Sequence, residues 1–424
     1  MLEAKFVREN ADVVRAAIKK KHMTVDLDRY LKLDEEVRKL ESSWQEERAK
    51  QNSRGSSIRS LDGDDLQKAR KELGEIKSRL KEIDKQLPPL KEERYHIASF
   101  LPSIPADDVP DGVDDKDNVE LYTEGDIPTF DFDVIDHVTY GLDNELFDFE
   151  RAGKIAGSRT YFLKNQGALL DLAIQRMAID LAIEKGFSPM MPPMIVRKNA
   201  MFGTGYFPGG EDQSYVCERD EAWLVGTSEV PVTSYHSDEI LNESDLPKRY
   251  AGISSCFRRE AGAAGKDTRG LYRIHQFNKI EQVVICRNSE EDSIKHHDEI
   301  LKNSKEILKR LELPYRVVNV CGGDLGQGQV QKFDIETWMP SRNAYGETHS
   351  ASRFHEFQSR RLNLRYRDED GKVHFCHTLN NTLIATPRVL IPMLEVHQQS
   401  DGSVKIPKAL QPYTGFDSIQ AIKK

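Results

Sequence analysis

The stretch from residue 256 to residue 281 brings together arginines, aromatic rings and a carboxylate. Arginine presents a planar fork of donors that can hold two oxygens of one phosphate group. An aromatic face can stack on a nucleobase, and a carboxylate can receive an ammonium or a hydroxyl. If the stretch is a strand, Arg273, Phe277 and Glu281 project from one face, because side chains four apart point the same way. The competing interpretation is a solvent-exposed hairpin of mixed charge. Against it, a face with these three residues is too polar for a core and unusually apolar for a surface.

The elements around this stretch predict an α+β fold. Residues 167–185 form an amphipathic helical pattern that ends at Gly186, a typical C-cap residue. A second helix begins with a capping box at Ser289 and runs to about residue 313, where Pro314 stops it. Helices with several strands at hairpin-like spacing, and no alternation of strand and helix, predict an antiparallel sheet flanked by helices. The predicted strands cover residues 253–257, 272–286, 315–320, 330–338, 362–367 and 373–379.

The N-terminal part has the clearest periodicity in the sequence. Apolar residues recur at alternating spacings of three and four in two stretches, which predicts an antiparallel α-helical coiled-coil hairpin with a second helix on the order of 40 Å long. Residues 48–60, rich in Gly, Asn and Ser, are the predicted turn, and Pro88 and Pro89 are expected to end or distort the second helix. The two seams are Leu33, Val37, Leu40 and Trp44, then Leu66, Ala69, Leu73, Ile76, Leu80, Ile83, Leu87 and Leu90.

The predicted tip of the hairpin is basic. It contains Arg48, Lys50, Arg54 and Arg59 and no acidic residue. Residues 1–100 carry a net charge of +3, whereas the rest of the chain carries −12. The simpler interpretation of the tip is a solvated turn, and the functional one is a projecting arm that contacts a nucleic acid backbone.

Changes in composition along the chain indicate three segments, and the overall composition argues against several classes of protein. We expect an N-terminal domain at residues 1–100, a linker rich in Pro and Asp without a core of its own at 101–128, and a globular domain at 129–424. The longest apolar runs are far shorter than the roughly 20 residues that a membrane-spanning helix needs, and the charged N-terminus argues against a secretory signal. The five cysteines have no C-x-x-C pair, so we expect reduced thiols, no zinc site and a cytoplasmic protein. His296 and His297 lie in a polar helical pattern and are expected to face solvent.

Several motifs in order along the chain resemble those of the class II aminoacyl-tRNA synthetases. FRRE at 257–260 and TRGLYRIHQFNKIE at 268–281 resemble motif 2 in the form that the seryl-tRNA synthetase family carries. KGF at 185–187 leading to Pro192 and Pro193 resembles the dimer-interface motif 1, and HTLN at 377–380 leads into a motif 3 that ends at Arg388. GTSEVP at 226–231, FDIETWMP at 333–340 and FQSRR at 357–361 also match, so the resemblance covers essentially the whole chain.

The resemblance implies roles for individual residues. It implies that Arg258, Glu260, Arg273 and Arg388 are catalytic, and that Mg²⁺ accompanies ATP on Glu347 and Ser350. It implies L-serine binding by Thr227, Ser228, Glu229, Glu281, Asn380 and Thr382. It implies ATP binding by Arg258, Arg259, Glu260, Arg273, Phe277, Glu347, Thr348, His349, Ser350 and Arg388.

The activity that follows from the resemblance is activation of L-serine with ATP and transfer of serine to the 3′ end of tRNA(Ser). The resemblance also implies a homodimer and a coiled-coil arm that grips the long variable arm of the tRNA. It leaves open whether tRNA(Sec) is a substrate. Three alternatives are a non-catalytic RNA-binding paralogue, a ligase that loads a carrier protein, and a coiled-coil scaffold. The first would have lost catalytic arginines or carboxylates, the second would not need the arm, and the third leaves the arginine, aromatic and carboxylate face unexplained.

Overall fold

The computed structural model describes residues 1–58, 61–262 and 269–422. The chain divides into two compact units, Met1–Pro102 and Ser103–Lys424. No helix among these residues is both long enough and apolar enough to cross a membrane. The helices are α1 Ala4–Glu9, α2 Ala11–Lys20, α3 Leu27–Ser57, α4 Gly63–Ala98, α5 His137–Asp143, α6 Phe149–Ala156, α7 Asn165–Glu184, α8 Lys198–Thr204, α9 Glu229–Thr233, α10 Glu290–Arg310, α11 Phe357–Leu362, α12 Leu390–Val396 and α13 Gln411–Thr414. The strands are β1 Val119–Glu124, β2 Phe147–Asp148, β3 Phe162–Leu163, β4 Ser188–Met190, β5 Ile195–Arg197, β6 Val216–Cys217, β7 Ala222–Leu224, β8 Ile240–Asn242, β9 Lys248–Phe257, β10 Gln276–Cys286, β11 Tyr315–Asn319, β12 Gln331–Met339, β13 Ala344–His355, β14 Arg365–Arg367, β15 Val373–Phe375, β16 His377–Thr386, β17 Val404–Lys405 and β18 Ser418–Ile419.

The N-terminal unit contains the predicted helical hairpin. Helices α3 and α4 pack along the apolar seam, where Val37, Ile83 and Leu87 form a buried cluster. Trp44 lies at the edge of this cluster, and its indole nitrogen donates to the Asp84 carboxylate at 2.9 Å. The heptad spacing therefore identified the hairpin correctly.

The ends of the two long helices differ from the prediction. Helix α3 continues through the predicted turn to Ser57, so Gly55 is helical. A glycine inside a helix costs only about 1 kcal/mol relative to alanine, too little by itself to end a long helix. Helix α4 continues past Pro88 and Pro89 to Ala98. Both prolines are exposed, so the backbone carbonyls that lose their partners can bond to water. The second helix has 36 residues, which corresponds to about 54 Å rather than 40 Å.

The C-terminal unit is built on an eight-stranded sheet in the order β1-β11-β12-β13-β16-β10-β9-β4. All neighbouring strands are antiparallel except β4, which pairs parallel with β9 at the edge. Helices α7 and α10 bury their apolar sides against this sheet. The observed architecture is the predicted α+β fold, with an antiparallel sheet flanked by helices.

Most of the segment predicted as a linker, from residue 103 to residue 128, takes part in the second unit. Val109 is buried against Val320 and Leu325. Strand β1 pairs with β11 at the edge of the sheet, where the Tyr315 hydroxyl donates to the Glu124 carboxylate at 2.6 Å. All six residues of β1 are exposed, and its short alternation of Val119, Glu120 and Leu121 follows directly on a stretch rich in Pro and Asp, so the sequence did not reveal it as a strand.

The helix ends of the second unit follow their predicted signals. Gly186 follows α7 in a left-handed conformation with φ of +80°, and the Ser289 side chain caps α10 by accepting from the Asp292 amide at 3.2 Å. The exposure predicted for His296 and His297 is wrong, because both rings are buried under the sheet side of α10. His297 bonds to the Ala351 carbonyl at 2.9 Å, and burial lowers its pKa to about 4.

Strand β13 lies near the middle of the sheet, yet the sequence analysis assigned no strand there. Its residues are mainly small or polar, so it lacks the alternation of apolar and polar residues that marks a half-buried strand. Two of its polar side chains, Glu347 and Thr348, line a cleft of the C-terminal unit.

Candidate active site

Strand β10 provides the base of the candidate site. Phe277, Lys279 and Glu281 lie at every second position and so share one face. Gln282 points the other way and donates to the Ile300 carbonyl of α10 at 3.0 Å. The predicted common face of Phe277 and Glu281 is thus present on the side of the sheet away from α10.

Arg273 reaches the same region by a different route. The strand begins at Gln276, so the prediction that Arg273 lies on it is wrong. The residue sits in the preceding bend and donates to the Glu260 carboxylate at 2.7 Å. Arg273 therefore joins the site through an ion pair rather than through strand alternation.

Several of these groups line a cleft of about 500 Å³ that opens to solvent, whereas Arg273 and Glu281 are not part of its lining. Thr348 lines the cleft, but its hydroxyl is already bonded to Thr337 at 2.7 Å. The predicted site residues among the lining are Arg258, Glu260, Phe277, Glu347, Thr348, Thr382 and Arg388.

Two cation and ring contacts organise the polar side of the cleft. The Arg258 guanidinium lies 5.2 Å from the centre of the Phe277 ring. Further along, the Tyr272 ring is flanked by Arg388 at 4.6 Å and Arg342 at 4.2 Å. Contacts of this kind orient guanidinium groups while leaving their N–H donors available for an anion.

Arg388 links the cleft to strand β13. It donates to the Glu347 backbone carbonyl at 2.8 Å and lies 3.6 Å from the Glu347 carboxylate. Desolvation would raise the pKa of Glu347, but Arg388, Lys332 and Arg258 outweigh it, so its pKa lies below the usual range. Glu347 is therefore a carboxylate at neutral pH, on the wall of a cleft that also contains arginines.

A pair of carboxylates marks the inner part of the site. Glu229 is buried and accepts hydrogen bonds from Gln358 at 2.7 Å and from the Tyr206 hydroxyl at 3.2 Å. Burial raises the pKa of Glu229 to about 7, and the negative charge of Glu281 adds to this rise. The Thr227 hydroxyl accepts from the Glu229 amide at 3.1 Å and so helps to fix the start of α9.

Glu281 is neutralised by a neighbour on its own strand. The Lys279 ammonium forms a buried ion pair with the Glu281 carboxylate, and the Thr382 hydroxyl lies 3.4 Å from the same oxygen atom. The side-chain nitrogen of Asn380 is buried and has no hydrogen-bond partner within the described part of the chain. A small molecule with an ammonium and a hydroxyl would meet acceptors at the two glutamates and donors at Lys279 and Asn380.

Candidate oxygen donors for a divalent cation lie on strands β12 and β13. The half-exposed Glu347 carboxylate shares this region with Ser350, which is directly opposite Asp334 in the register of the two strands. Burial raises the pKa of Asp334, while the ammonium of Lys332 at 3.5 Å opposes this rise. Mg²⁺ favours one or two carboxylates together with substrate phosphates and water, so Glu347 and Ser350 fit that ion in their donor chemistry.

Three of the predicted site residues point elsewhere. The Ser228 hydroxyl is buried and donates to the Gly252 carbonyl at 3.1 Å. His349 is buried away from the cleft lining, and burial lowers its pKa to about 4, which leaves the ring neutral. The Arg259 guanidinium donates to the Asp212 carbonyl at 3.2 Å. Their roles in serine or ATP binding stay predictions.

Four residues of the site were missed by the sequence analysis. Lys279 could have been found, because it lies midway between Phe277 and Glu281 in the same alternation. Tyr206, Gln358 and the stacking role of Tyr272 had no local signal, since each reaches its partner from a distant part of the chain.

The predicted tRNA-binding residues lie near the end of the helical hairpin. Arg48, Lys50 and Arg54 are exposed on α3. Lys50 pairs with Glu47 at 2.7 Å, and Arg54 pairs with Glu72 at 3.0 Å. The Arg54 pair is exposed on both sides, so it contributes little stability and can exchange for phosphate groups, whereas Glu47 is largely buried. Arg59 lies outside the described residues.

Comparison with known protein families gives two matches that together span most of the chain. Residues 1–105 match the seryl-tRNA synthetase N-terminal domain. Residues 215–397 match the tRNA synthetase class II core domain of the G, H, P, S and T enzymes.

Whole-chain relatives agree with these matches. The chain is 43% identical over 415 residues to the serine--tRNA ligase of Deinococcus radiodurans, with 98% of each chain covered. It resembles the crystal structure of seryl-tRNA synthetase from Pyrococcus horikoshii complexed with ATP, with a TM-score of 0.94, 38% identity and full coverage of both chains. It also resembles the cytoplasmic serine-tRNA ligase of Naegleria fowleri in complex with AMP, with a TM-score of 0.89, 28% identity, and 100% and 99% coverage. The chain therefore belongs to the seryl-tRNA synthetase family of class II aminoacyl-tRNA synthetases.

Proposed function

We propose that this protein activates L-serine with ATP to form seryl-adenylate and then transfers serine to the 3′ end of tRNA(Ser). The observation that supports this most is the continuity of one site. The Arg258 and Phe277 pair lies in the same cleft as Lys279 and Thr382, which lead to the carboxylates Glu229 and Glu281. An adenine, a phosphate and a small amino acid can occupy such a site side by side.

Adenylate formation is a displacement at phosphorus. A carboxylate oxygen of serine attacks the α-phosphorus of ATP, the new oxygen–phosphorus bond forms, and the bond to pyrophosphate breaks. The attacking carboxylate is already ionised, so no general base is needed. What the reaction needs is alignment of two anions and stabilisation of negative charge in the transition state.

The basic residues of the cleft suit that requirement. In our proposal Arg258 holds the α-phosphate and the attacking carboxylate, and Phe277 stacks on the adenine. Arg273 and Arg388 hold the outer phosphates, exchanging their present partners Glu260 and Glu347 for phosphate oxygens. An arginine held in place before substrate arrives loses less conformational entropy on binding.

Serine recognition follows from the inner carboxylates. Glu229 receives the ammonium, and Glu281 with Thr382 receives the hydroxyl of the substrate. Alanine lacks the hydroxyl and so would lose the hydrogen bond that serine makes at Glu281 and Thr382, which is a basis for rejecting alanine. The free donor of Asn380 completes this hydrogen-bonding set.

Mg²⁺ is the cation that we propose for Glu347 and Ser350. When bound, it neutralises phosphate charge and orients the pyrophosphate leaving group. The chain's own contribution is the carboxylate of Glu347, kept ionised by Arg388 and Lys332.

The tRNA partner is assigned to the N-terminal unit. We propose residues 1–100 as the tRNA-binding domain and residues 129–424 as the catalytic domain. The long coiled coil with its exposed Arg48, Lys50 and Arg54 supports contact with the RNA backbone. The same surface would accept tRNA(Sec) where a cell contains one.

We further propose that the protein is a homodimer located in the cytoplasm. Leu169, Leu172 and Ile183 project from α7 on the side away from the core and are each at least half exposed. Met191 beyond β4 is 85% exposed, and exposed apolar side chains of this kind are typical of an interaction surface. The five cysteines are free thiols, which is the usual state in the cytoplasm.

Exchange of labelled pyrophosphate into ATP, without tRNA, tests the activation step. We expect exchange with serine and not with alanine or threonine. Glu281→Ala should raise the KM for serine more than about tenfold, because a charged contact is lost, with the KM for ATP nearly unchanged. Absence of exchange in a folded protein that binds ATP would favour the non-catalytic RNA-binding alternative, and an unchanged serine KM in the variant would exclude Glu281 from the serine site.

A further inference from the structure

A buried carboxylate next to the cleft joins two distant segments of the chain. Glu395 on α12 has a side chain with no exposed surface. It accepts from the amide and the ring Nδ1 of His137 at 2.9 and 2.8 Å. It also accepts from the amide and the hydroxyl of Ser341 at 3.0 and 2.8 Å. Four donors on one carboxylate make this a fixed point in the fold.

The second ring nitrogen of His137 extends the connection to the loop of the cleft. The Leu271 amide donates to His137 Nε2 at 3.3 Å. This bond requires the tautomer that carries its proton on Nδ1, which is the form that donates to Glu395. One tautomer of His137 therefore satisfies both bonds, donating to Glu395 and accepting from Leu271.

Gly270, the residue before Leu271, lies tightly against the His137 ring. Gly270 has φ of +87°, and a Cβ atom at this position would lie 2.4 Å from His137 Nε2. Arg269 donates to the Thr139 hydroxyl at 3.1 Å, also at the start of α5. Arg269 and Leu271 are thus bonded to the first turn of one helix, and Gly270 between them packs closely against it.

The next two residues of the loop are the ones that line or serve the cleft. Tyr272 has the guanidinium groups of Arg388 and Arg342 close to its ring, and Arg273 is paired with Glu260. Glu395 also bonds to Ser341, which directly precedes Arg342. Neither His137 nor Glu395 lines the cleft itself.

We propose that His137 and Glu395 are positioning residues that set the loop carrying Tyr272 and Arg273, and thereby the affinity for the outer phosphates of ATP. The inference rests on the ATP subsite assigned under Proposed function. Loss of the bond to Leu271 leaves the serine contacts at Glu229 and Glu281 in place, since those residues have their own partners. The effect should therefore fall on ATP and spare serine.

Two substitutions of His137 separate its two bonds. A glutamine can place an acceptor where Nε2 lies and so keep the Leu271 amide bonded, while Glu395 retains three other donors. An asparagine can place a donor where Nδ1 lies and so keeps the bond to Glu395, but it cannot reach Leu271. We expect His137→Asn to raise the KM for ATP about tenfold or more, with the serine KM within twofold and with His137→Gln close to the parent protein.

Pyrophosphate exchange gives the two KM values, and calorimetric titration with ATP alone gives the nucleotide affinity without any amino acid. Gly270→Ala would place a Cβ 2.4 Å from His137 Nε2 and should weaken ATP affinity in the same way, with the melting temperature measured alongside to separate this effect from a loss of stability. His297→Gln removes a buried histidine bond on the α10 side of the sheet and should change stability but not ATP affinity. Equal ATP affinity in His137→Asn and His137→Gln, or a parallel rise in the serine KM, would overturn the inference. A parent protein that binds ATP but lacks exchange with serine would instead contradict the proposed function.

Discussion

At the scale of single residues, Glu229 is the buried carboxylate to which we assign the serine ammonium. Gln358 and Tyr206 orient its carboxylate, and Glu281 is its negative neighbour. A carboxylate with a pKa near 7 is ionised only in part under physiological conditions. Binding of the serine ammonium needs the ionised form, so Glu229 should make serine binding depend on pH.

The direction of this dependence follows from the raised pKa. Ionised Glu229 becomes more abundant as the pH rises through about 7, so the KM for serine should fall between pH 6 and pH 8, by about tenfold at most. Glu229→Gln should give a high serine KM that does not change over this range, whereas the ATP KM serves as an internal control in both proteins. A serine KM of the parent protein that is flat with pH, or the same slope in the variant, would contradict the assignment of the ammonium to Glu229.

The residues of the site differ in how far the sequence could predict them. Phe277 and Glu281 were predicted from strand alternation alone, and Lys279 follows from the same rule. The partners of Glu229 come from elsewhere in the chain, so no local spacing points to Tyr206 or Gln358. Long-range contacts depend on how the elements pack, which a single sequence does not state.

At the scale of elements, a buried ion-pair cluster lies at the base of the helical hairpin. The Asp34 side chain is fully buried on α3 and accepts from Arg8 and Arg94, each at 2.9 Å. These bonds join three helices of the N-terminal unit. We expect Asp34→Ala to lower the free energy of unfolding of this unit by about 2–3 kcal/mol, because two partly buried arginines lose their partner.

Hydrogen exchange during urea unfolding, followed on peptides from α3 and α4, measures this effect. Asp28→Ala is the matched control, because its pair with Arg15 is exposed on both sides and should add little. An Asp34→Ala protein whose α3 amides are as protected as those of the parent would show that apolar packing alone holds the base of the hairpin.

The differences between expected and observed elements have common physical causes. Gly55, Pro88 and Pro89 are signals of helix ends, but long apolar seams outweigh their local cost. Strand β13 was missed because a strand of mainly small or polar residues lacks apolar alternation. Strand β1 was missed because it is short and follows a stretch rich in Pro and Asp. Strong periodicity was therefore reliable for the existence of an element and less so for its ends.

At the scale of the whole molecule, the exposed apolar face of α7 predicts self-association. We expect the 48.4 kDa chain to sediment as a dimer at micromolar concentration, and Leu172→Asp to yield monomers because it places a charge in the apolar face. Val373→Asp is the control, a similar change at an exposed position on β15. A parent protein that sediments as a monomer, or an unchanged dimer in Leu172→Asp, would contradict the placing of the interface on this face.

Substitutions in the helical arm should affect the transfer of serine to tRNA but not the activation of serine in the cleft. Replacing Arg48, Lys50 and Arg54 together with alanine removes three exposed charges from α3. Such a change should weaken tRNA binding and its salt dependence while pyrophosphate exchange with serine stays as in the parent protein. Loss of exchange in this variant would mean that it damages more than the RNA-binding surface.

The most direct measurement is ATP-dependent attachment of labelled serine to tRNA(Ser) by the full chain. We predict serylation of tRNA(Ser), a strong reduction when the long variable arm of the tRNA is deleted, and no charging with the other nineteen amino acids. Charging of tRNA(Ser) with a different amino acid, or no charging by a protein that performs serine-dependent exchange, would contradict the account.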